Sequence, residues 1–291
     1  MPSAETQQTA IVPQQEKAPL PIIHIAASSG WISFRLGELW AARELMYFLV
    51  WRDVKVRYKQ TALGASWAII QPVMAMLIFT IFFGRLAKMP SAGIPYPLFA
   101  YCGLLPWQLF SFALTESSNS LVNNKSLITK VYFPRLVIPA AAVFAGLVDF
   151  CIAFVILIAM MIFYGVMPSA RILALPLLVA FAVITALTVG LWLSALNVKY
   201  RDVRYVIPFL TQFWLLATPI AYPSDLVPAR YRFLLGLNPM AGVIEGFRWA
   251  LLGADTSIGP LMIGSVVVVA VALVGGVAYF RSMEKHFADL L

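Results

Sequence analysis

Charge is the scarcest commodity in this chain. Only 12% of its 291 residues are Asp, Glu, Lys or Arg, whereas soluble globular domains carry about 25%. Histidine and cysteine are rarer still, two of each. Cys102 and Cys151 fall in apolar stretches without metal or redox spacing, so they read as packing residues and leave the compartment undetermined. His24 has no acid near it but Glu16, and His286 lies between Glu284 and Asp289 in a charged C-terminal segment. No catalytic constellation can be assembled from them, and no metal site is expected. No GxxxxGK[ST] run occurs either, so a phosphate-binding loop of that kind is excluded. If ATP drives this protein, a separate subunit must bind it.

Apolar residues fill the space instead, at 61% of the chain with a mean hydropathy of +0.85. That composition indicates an integral membrane protein made of helices. Six segments are candidate spans: 63–83, 98–121, 136–164, 172–198, 206–222 and 258–280. A run of about 20 apolar residues matches the ~30 Å hydrocarbon layer. The third is long enough to tilt. The fifth is short and contains Pro208 and Pro219.

Residues 1–30, rich in Gln, Pro, Ala and Ser, form a mobile N-terminal tail, and 31–291 form the transmembrane domain. The patch at 20–27 is broken by Pro21 and His24 and lacks the charged leader of a signal peptide. From Glu38 to Tyr58 a helix is expected, with Trp40, Tyr47, Trp51, Val54 and Tyr58 on one line and Glu44, Arg52, Lys55 and Lys59 on a neighbouring stripe. Tyr and Trp favour the headgroup zone, so this helix should lie along the cytoplasmic interface.

The formal charge of +8 does not imply nucleic acid, because the cations cluster beside apolar runs. With the N-terminus inside, fifteen Lys and Arg fall in cytoplasmic segments and six outside. The positive-inside rule therefore places both termini in the cytoplasm.

Between the last two spans, the segment 223–259 is half apolar yet holds Glu245 and Arg248. Its pieces 233–237 and 240–252, split by Asn238-Pro239, are too short to span and read as a re-entrant hairpin dipping into the outer leaflet. Glu245 and Arg248, three apart, can pair on one helical face and either line an exit or let the hairpin tolerate the membrane. Asp149 lies inside the third span, where a carboxylate costs roughly 2.5–3.5 kcal/mol on insertion scales. It reads as a hydrogen-bonded structural residue or as a proton relay. Asn123, Asn124, Lys125, Ser126, Leu127 and Thr129 form a short amphipathic helix with a polar entry, suited to docking into a soluble partner.

The ordered motifs now add up to a resemblance. Arg43-Glu44-Leu45, the stretch from Arg52 to Thr61, Leu63-Gly64, Trp67 and Gln71-Pro72 are followed by Tyr132-Phe133-Pro134-Arg135 and Tyr200-Arg201-Asp202-Val203. Thr218-Pro219-Ile220 and Asn238-Pro239-Met240 complete the set. Over roughly residues 30–285 the chain resembles the ABC-2 type permeases of polysaccharide exporters, which move O-antigen, capsule or teichoic acid. The resemblance implies a homodimer in the bacterial inner membrane, joined by two copies of an ATPase subunit that binds ATP and Mg. It implies a channel between the two permeases that passes a lipid-linked glycan, O-antigen in the first instance. The family's ATPase contacts correspond to 38–58 and 119–129 here.

Aromatic rings can stack on sugar faces while offering polar tips, so Tyr101, Trp107, Trp192, Phe209, Phe213 and Trp214 are candidate channel-lining residues. Arg52, Lys55, Arg57 and Lys59 can meet a lipid pyrophosphate, in competition with plain anchoring to membrane headgroups. A permease for small lipophilic drugs is a further reading within the family. A membrane-embedded glycosyl- or acyltransferase would need a conspicuous acid or histidine on a loop. A proton-coupled carrier would need internal repeats and buried ionisable pairs.

Overall fold

The computed structural model describes residues 36–59, 64–254 and 258–290, and among them the regular structure is entirely helical. The expected tail at 1–30 lies outside the described residues.

Two helices lead in, α1 (Leu36–Ala41) and α2 (Arg43–Lys59), separated by a break at Ala42 where one continuous helix was expected. Then come α3 (Trp67–Phe79), α4 (Tyr96–Asn123), α5 (Lys125–Lys130), α6 (Val137–Phe163), α7 (Leu175–Lys199) and α8 (Val203–Ala217). The chain ends with α9 (Arg232–Gly236), α10 (Pro239–Leu252), α11 (Ile258–Glu284) and α12 (Phe287–Leu290). A π-helical turn, Thr80–Leu86, extends α3.

Five helical stretches are long and apolar enough to cross a membrane: Trp67–Leu86, Tyr96–Asn123, Val137–Phe163, Ala170–Lys199 and Gly259–Glu284. The remaining candidate, 206–222, is cut short. α8 has 15 residues, a rise of about 22 Å at 1.5 Å per residue. It stops because Thr218 is extended, at φ −104° and ψ 137°. The residue before a proline is pushed out of the helical region, and Pro219 follows.

α4 is the hub. Of its most apolar stretch 78% is buried, against 11% for α3. It packs on α6 and α7 through small residues. Gly190 on α7 leaves room for Ser117, and Asn197 donates to the Ser118 carbonyl and to Asn119 Oδ1, both at 3.0 Å. Small residues let membrane helices approach closely, and interhelical hydrogen bonds then join them.

The core has two main parts. The larger gathers Tyr101, Leu105, Phe110, Leu157 and Phe247. The other, toward the end of the bundle that carries α5 and α12, gathers Leu49, Leu121, Ile128, Val137, Val198, Phe280 and Phe287. Leu49 in that second cluster shows that α2 packs beside the start of α6, and the contact continues to Asp149. The helix expected along the interface is thus held against a span for much of its length.

Candidate functional site

Three polar constructions interrupt the apolar bundle. The first joins α2, α4 and α6. Arg57 forms an ion pair with Asp149, and the Tyr58 hydroxyl donates to the other oxygen of the same carboxylate. Both charged side chains are under a third exposed, at 29% and 28%. The Arg57 guanidinium also lies 4.0 Å from the Phe112 ring centroid, a cation–π contact. Gly146 makes that possible, because a Cβ there would sit 2.7 Å from the Phe112 ring. Burial pushes the Tyr58 phenol up from its ordinary value, helped by its hydrogen bond to the Asp149 carboxylate. One turn earlier, Arg52 donates to Asp53 and, at 2.8 Å, to Asn124 Oδ1.

Two cavities meet at this junction. One of about 430 Å³ is bounded by Arg52, Asp53, Glu116, Asn123 and Asn124. The other, about 730 Å³, runs between α3, α4 and α6. Arg57 and Glu116 line both.

These contacts separate residues that the sequence had grouped. Lys55 and Lys59 are exposed, whereas Arg57 turns inward onto Asp149. Asp149 takes the hydrogen-bonded form of its two expected roles. Its partners went unread because they lie 92 and 91 positions away. A lone acid in a span and an Arg-Tyr pair off the basic stripe were the available signal.

The second construction is α5 and its entry. Asn124 breaks the α4 helix at φ −108° and ψ 26°. Its Nδ2 donates to the Ser120 carbonyl at 2.8 Å while its Oδ1 accepts from Arg52. Ile128 anchors α5 in the core, leaving Asn123, Lys125, Ser126 and Thr129 exposed and Leu127 half-buried. Behind α5, the Arg135 side chain donates to the Glu284 carbonyl, tying this end to α11.

The third is the pair α9–α10, broken at Leu237-Asn238, one residue before the expected split at Asn238-Pro239. Asn238 Oδ1 caps α10 by accepting from the Met240 N–H at 3.1 Å, and it also accepts from Trp214 Nε1 at 2.8 Å. Its Nδ2 donates to Thr218 Oγ1 at 3.0 Å, so two of the sequence motifs meet here. Glu245 and Arg248 are both fully buried and paired at 3.1 Å. Arg248 further donates to the carbonyls of Pro219 and Ile220, at 2.8 and 2.7 Å, and stacks 3.7 Å from the centroid of Phe99. Of the two roles open to this pair, the geometry shows the internal one: neither side chain faces a surface.

The six aromatic candidates divide. Tyr101 is fully buried and donates to the Ala153 carbonyl at 3.0 Å. Trp192 donates to the Ala272 carbonyl and stacks on Tyr279, and Trp214 packs edge-on against Phe110. Tyr101 is closed off within a single copy, which corrects its assignment to a channel surface, while Trp192 and Trp214 are half-buried and held by these contacts. Trp107 is 5% exposed yet borders the larger cavity. Phe209 and Phe213 stand outside the bundle on α8, 70% and 64% exposed.

Comparison with known proteins places this geometry in context. The family model described as ABC-2 type transporter matches residues 44–252. The chain is 28% identical to an O-antigen export system permease protein of Myxococcus xanthus, over 87% of this chain and 97% of that one. It is 29% identical to an O-antigen export system permease protein of Klebsiella pneumoniae, over 89% and 98% respectively. It is 24% identical to a polysialic acid transport protein of Escherichia coli, over 80% and 91%.

Proposed function

This chain belongs to the ABC-2 type transporter family, and from that premise we propose that it is the membrane subunit of an ATP-driven exporter of lipid-linked polysaccharide, O-antigen in kind. It is a transport permease subunit rather than an enzyme. The observation that carries the reading is similarity along nearly the whole length of O-antigen export permeases, with the α2 helix, α5 and the α9–α10 pair all inside the matched region. The similarity to a polysialic acid transport protein favours capsule-type glycan as the second reading.

In this proposal two copies form the channel, and two copies of an ATPase subunit supply ATP and Mg chemistry. α8 together with 218–222 completes a sixth crossing, and α9–α10 dips into the outer leaflet. Both termini and α5 lie in the cytoplasm, where the basic residues concentrate. The exposed face of α5 meets the ATPase. Its motion reaches the spans through Asn124, which hydrogen-bonds to both α2 and α4. Arg52, Lys55 and Lys59 present the cations that a lipid pyrophosphate would meet, and the exposed rings of Phe209 and Phe213 face the shared channel.

The test is copurification of the full chain with an ATP-binding subunit from the same organism. ATP hydrolysis should require both proteins in a membrane or detergent assembly. Lys125→Glu should lower it severalfold by reversing charge on the docking face. Failure of the two proteins to copurify would remove the motor and with it this function.

A further inference from the structure

We propose that the 730 Å³ cleft between α3, α4 and α6 of a single copy is itself a binding site for an uncharged, hydroxyl-rich saccharide unit. This rests on the exporter reading and adds a glycan contact built from the residues of one permease.

The volume falls in the ~300–1,000 Å³ range of small-molecule sites. Its walls combine two indole rings, Trp67 and Trp107, with Gln71, Gln108, Ser111 and Thr115. The side chains of Gln71, Gln108 and Ser111 have no hydrogen-bond partner among the described residues. Gln108 and Ser111 are half-buried and Gln71 is exposed, so a ligand would take the place of water as their partner. Sugar hydroxyls donate and accept at once, which suits both amides and the serine. The rings offer flat apolar faces with a polar tip.

Charge disfavours the obvious rival. Among the described residues of the lining Arg57 is the one cation, and Asp149 engages it while Glu116 stands beside it. One guanidinium beside two carboxyl groups gives the described lining no excess of positive charge for phosphate or pyrophosphate. Leu105, Leu109, Phe112 and Phe150 also line the cleft, so a lipid tail is the rival that the farnesol probe below tests. A second cavity of about 440 Å³, lined by Val73, Met76, Leu77, Ile156, Met160 and Phe163, is far better matched to a hydrocarbon chain. Arg57 and Glu116 also line the smaller cavity, so a saccharide would enter past the Arg57–Asp149 pair.

The experiment uses the full chain copurified with its ATPase in a polyoxyethylene detergent, with Cys151→Ser removing the exposed native thiol. Ser111→Cys, and separately Thr115→Cys, is reacted with a polar maleimide, with Met167→Cys as a control outside the cleft. The probes are glycan released by mild acid from the lipid-linked material of the producing strain, sodium pyrophosphate, and farnesol. Loss of labelling at both cleft positions with released glycan, and none at Met167→Cys, is the expected result. Protection by pyrophosphate alone, by farnesol alone or by no probe overturns the proposal. Surface glycan is measured in parallel in a strain lacking this chain and in the same strain with it restored. Export that does not depend on the chain defeats the exporter reading. Export that does depend on it, with an unprotected cleft, defeats only the saccharide site.

Discussion

Arg57 makes an ion pair, a ring contact and a boundary between two cavities with one side chain. The energetic weight of the pair lies between two regimes. Exposed ion pairs contribute about 0–1 kcal/mol, and breaking a fully buried pair costs about 3–5 kcal/mol. For side chains under a third exposed, Asp149→Leu should destabilise the protein by roughly 1–3 kcal/mol, read as a lower denaturation temperature in detergent. Asp149→Asn should cost less, because the amide oxygen still accepts from Tyr58. Arg248 is the more demanding residue. Its fork reaches three carbonyls, a carboxylate and a ring, a set that a lysine ammonium on a flexible stem cannot reproduce. Arg248→Lys should therefore behave like Arg248→Ala, each losing on the order of 3–5 kcal/mol and folded yield with it. A Lys variant as stable as the wild type would contradict this account.

Among the elements, the α9–α10 pair depends on one amide. Asn238 caps α10 and links it to α8 through Trp214 and Thr218. Loss of a cap costs about 1 kcal/mol, and each net hydrogen bond adds about 0.5–1.5 kcal/mol. Asn238→Ala should thus lower stability by roughly 2–3 kcal/mol, while Asn238→Asp, which keeps the capping oxygen, should recover part of it in the same unfolding assay. Elements of this kind show what was legible from sequence. Five long helices were readable because the bilayer imposes a minimum apolar length, and the α9–α10 break was readable from Asn238-Pro239. The end of α8 was misjudged because apolarity continues through 218–222 while the helix does not; Pro219 decided it. Asp149 could be read as buried, but its pairing with Arg57 depends on how α2 docks against α6, which no local pattern encodes. The burial of Tyr101 was hidden for the same reason, since an aromatic in a span looks alike whichever way it points.

For the molecule as a whole, the proposed orientation has a direct readout. In intact cells, Lys88→Cys, in the connection after α3, should react with an impermeant maleimide from outside, whereas Lys125→Cys should react only after the cells are opened. The reverse pattern would invert every assignment of sidedness, including the docking of α5. One consequence for how the protein is made follows from Arg248. Its hydrogen-bond acceptors and its stacking ring, on Phe99, Pro219, Ile220, Tyr222 and Glu245, all precede it in the chain. A ribosome synthesising from the N-terminus delivers the entire cradle before the cation emerges. The guanidinium thus never has to wait in hydrocarbon for a group not yet translated, and the least membrane-compatible side chain of α10 arrives at a place already prepared for it.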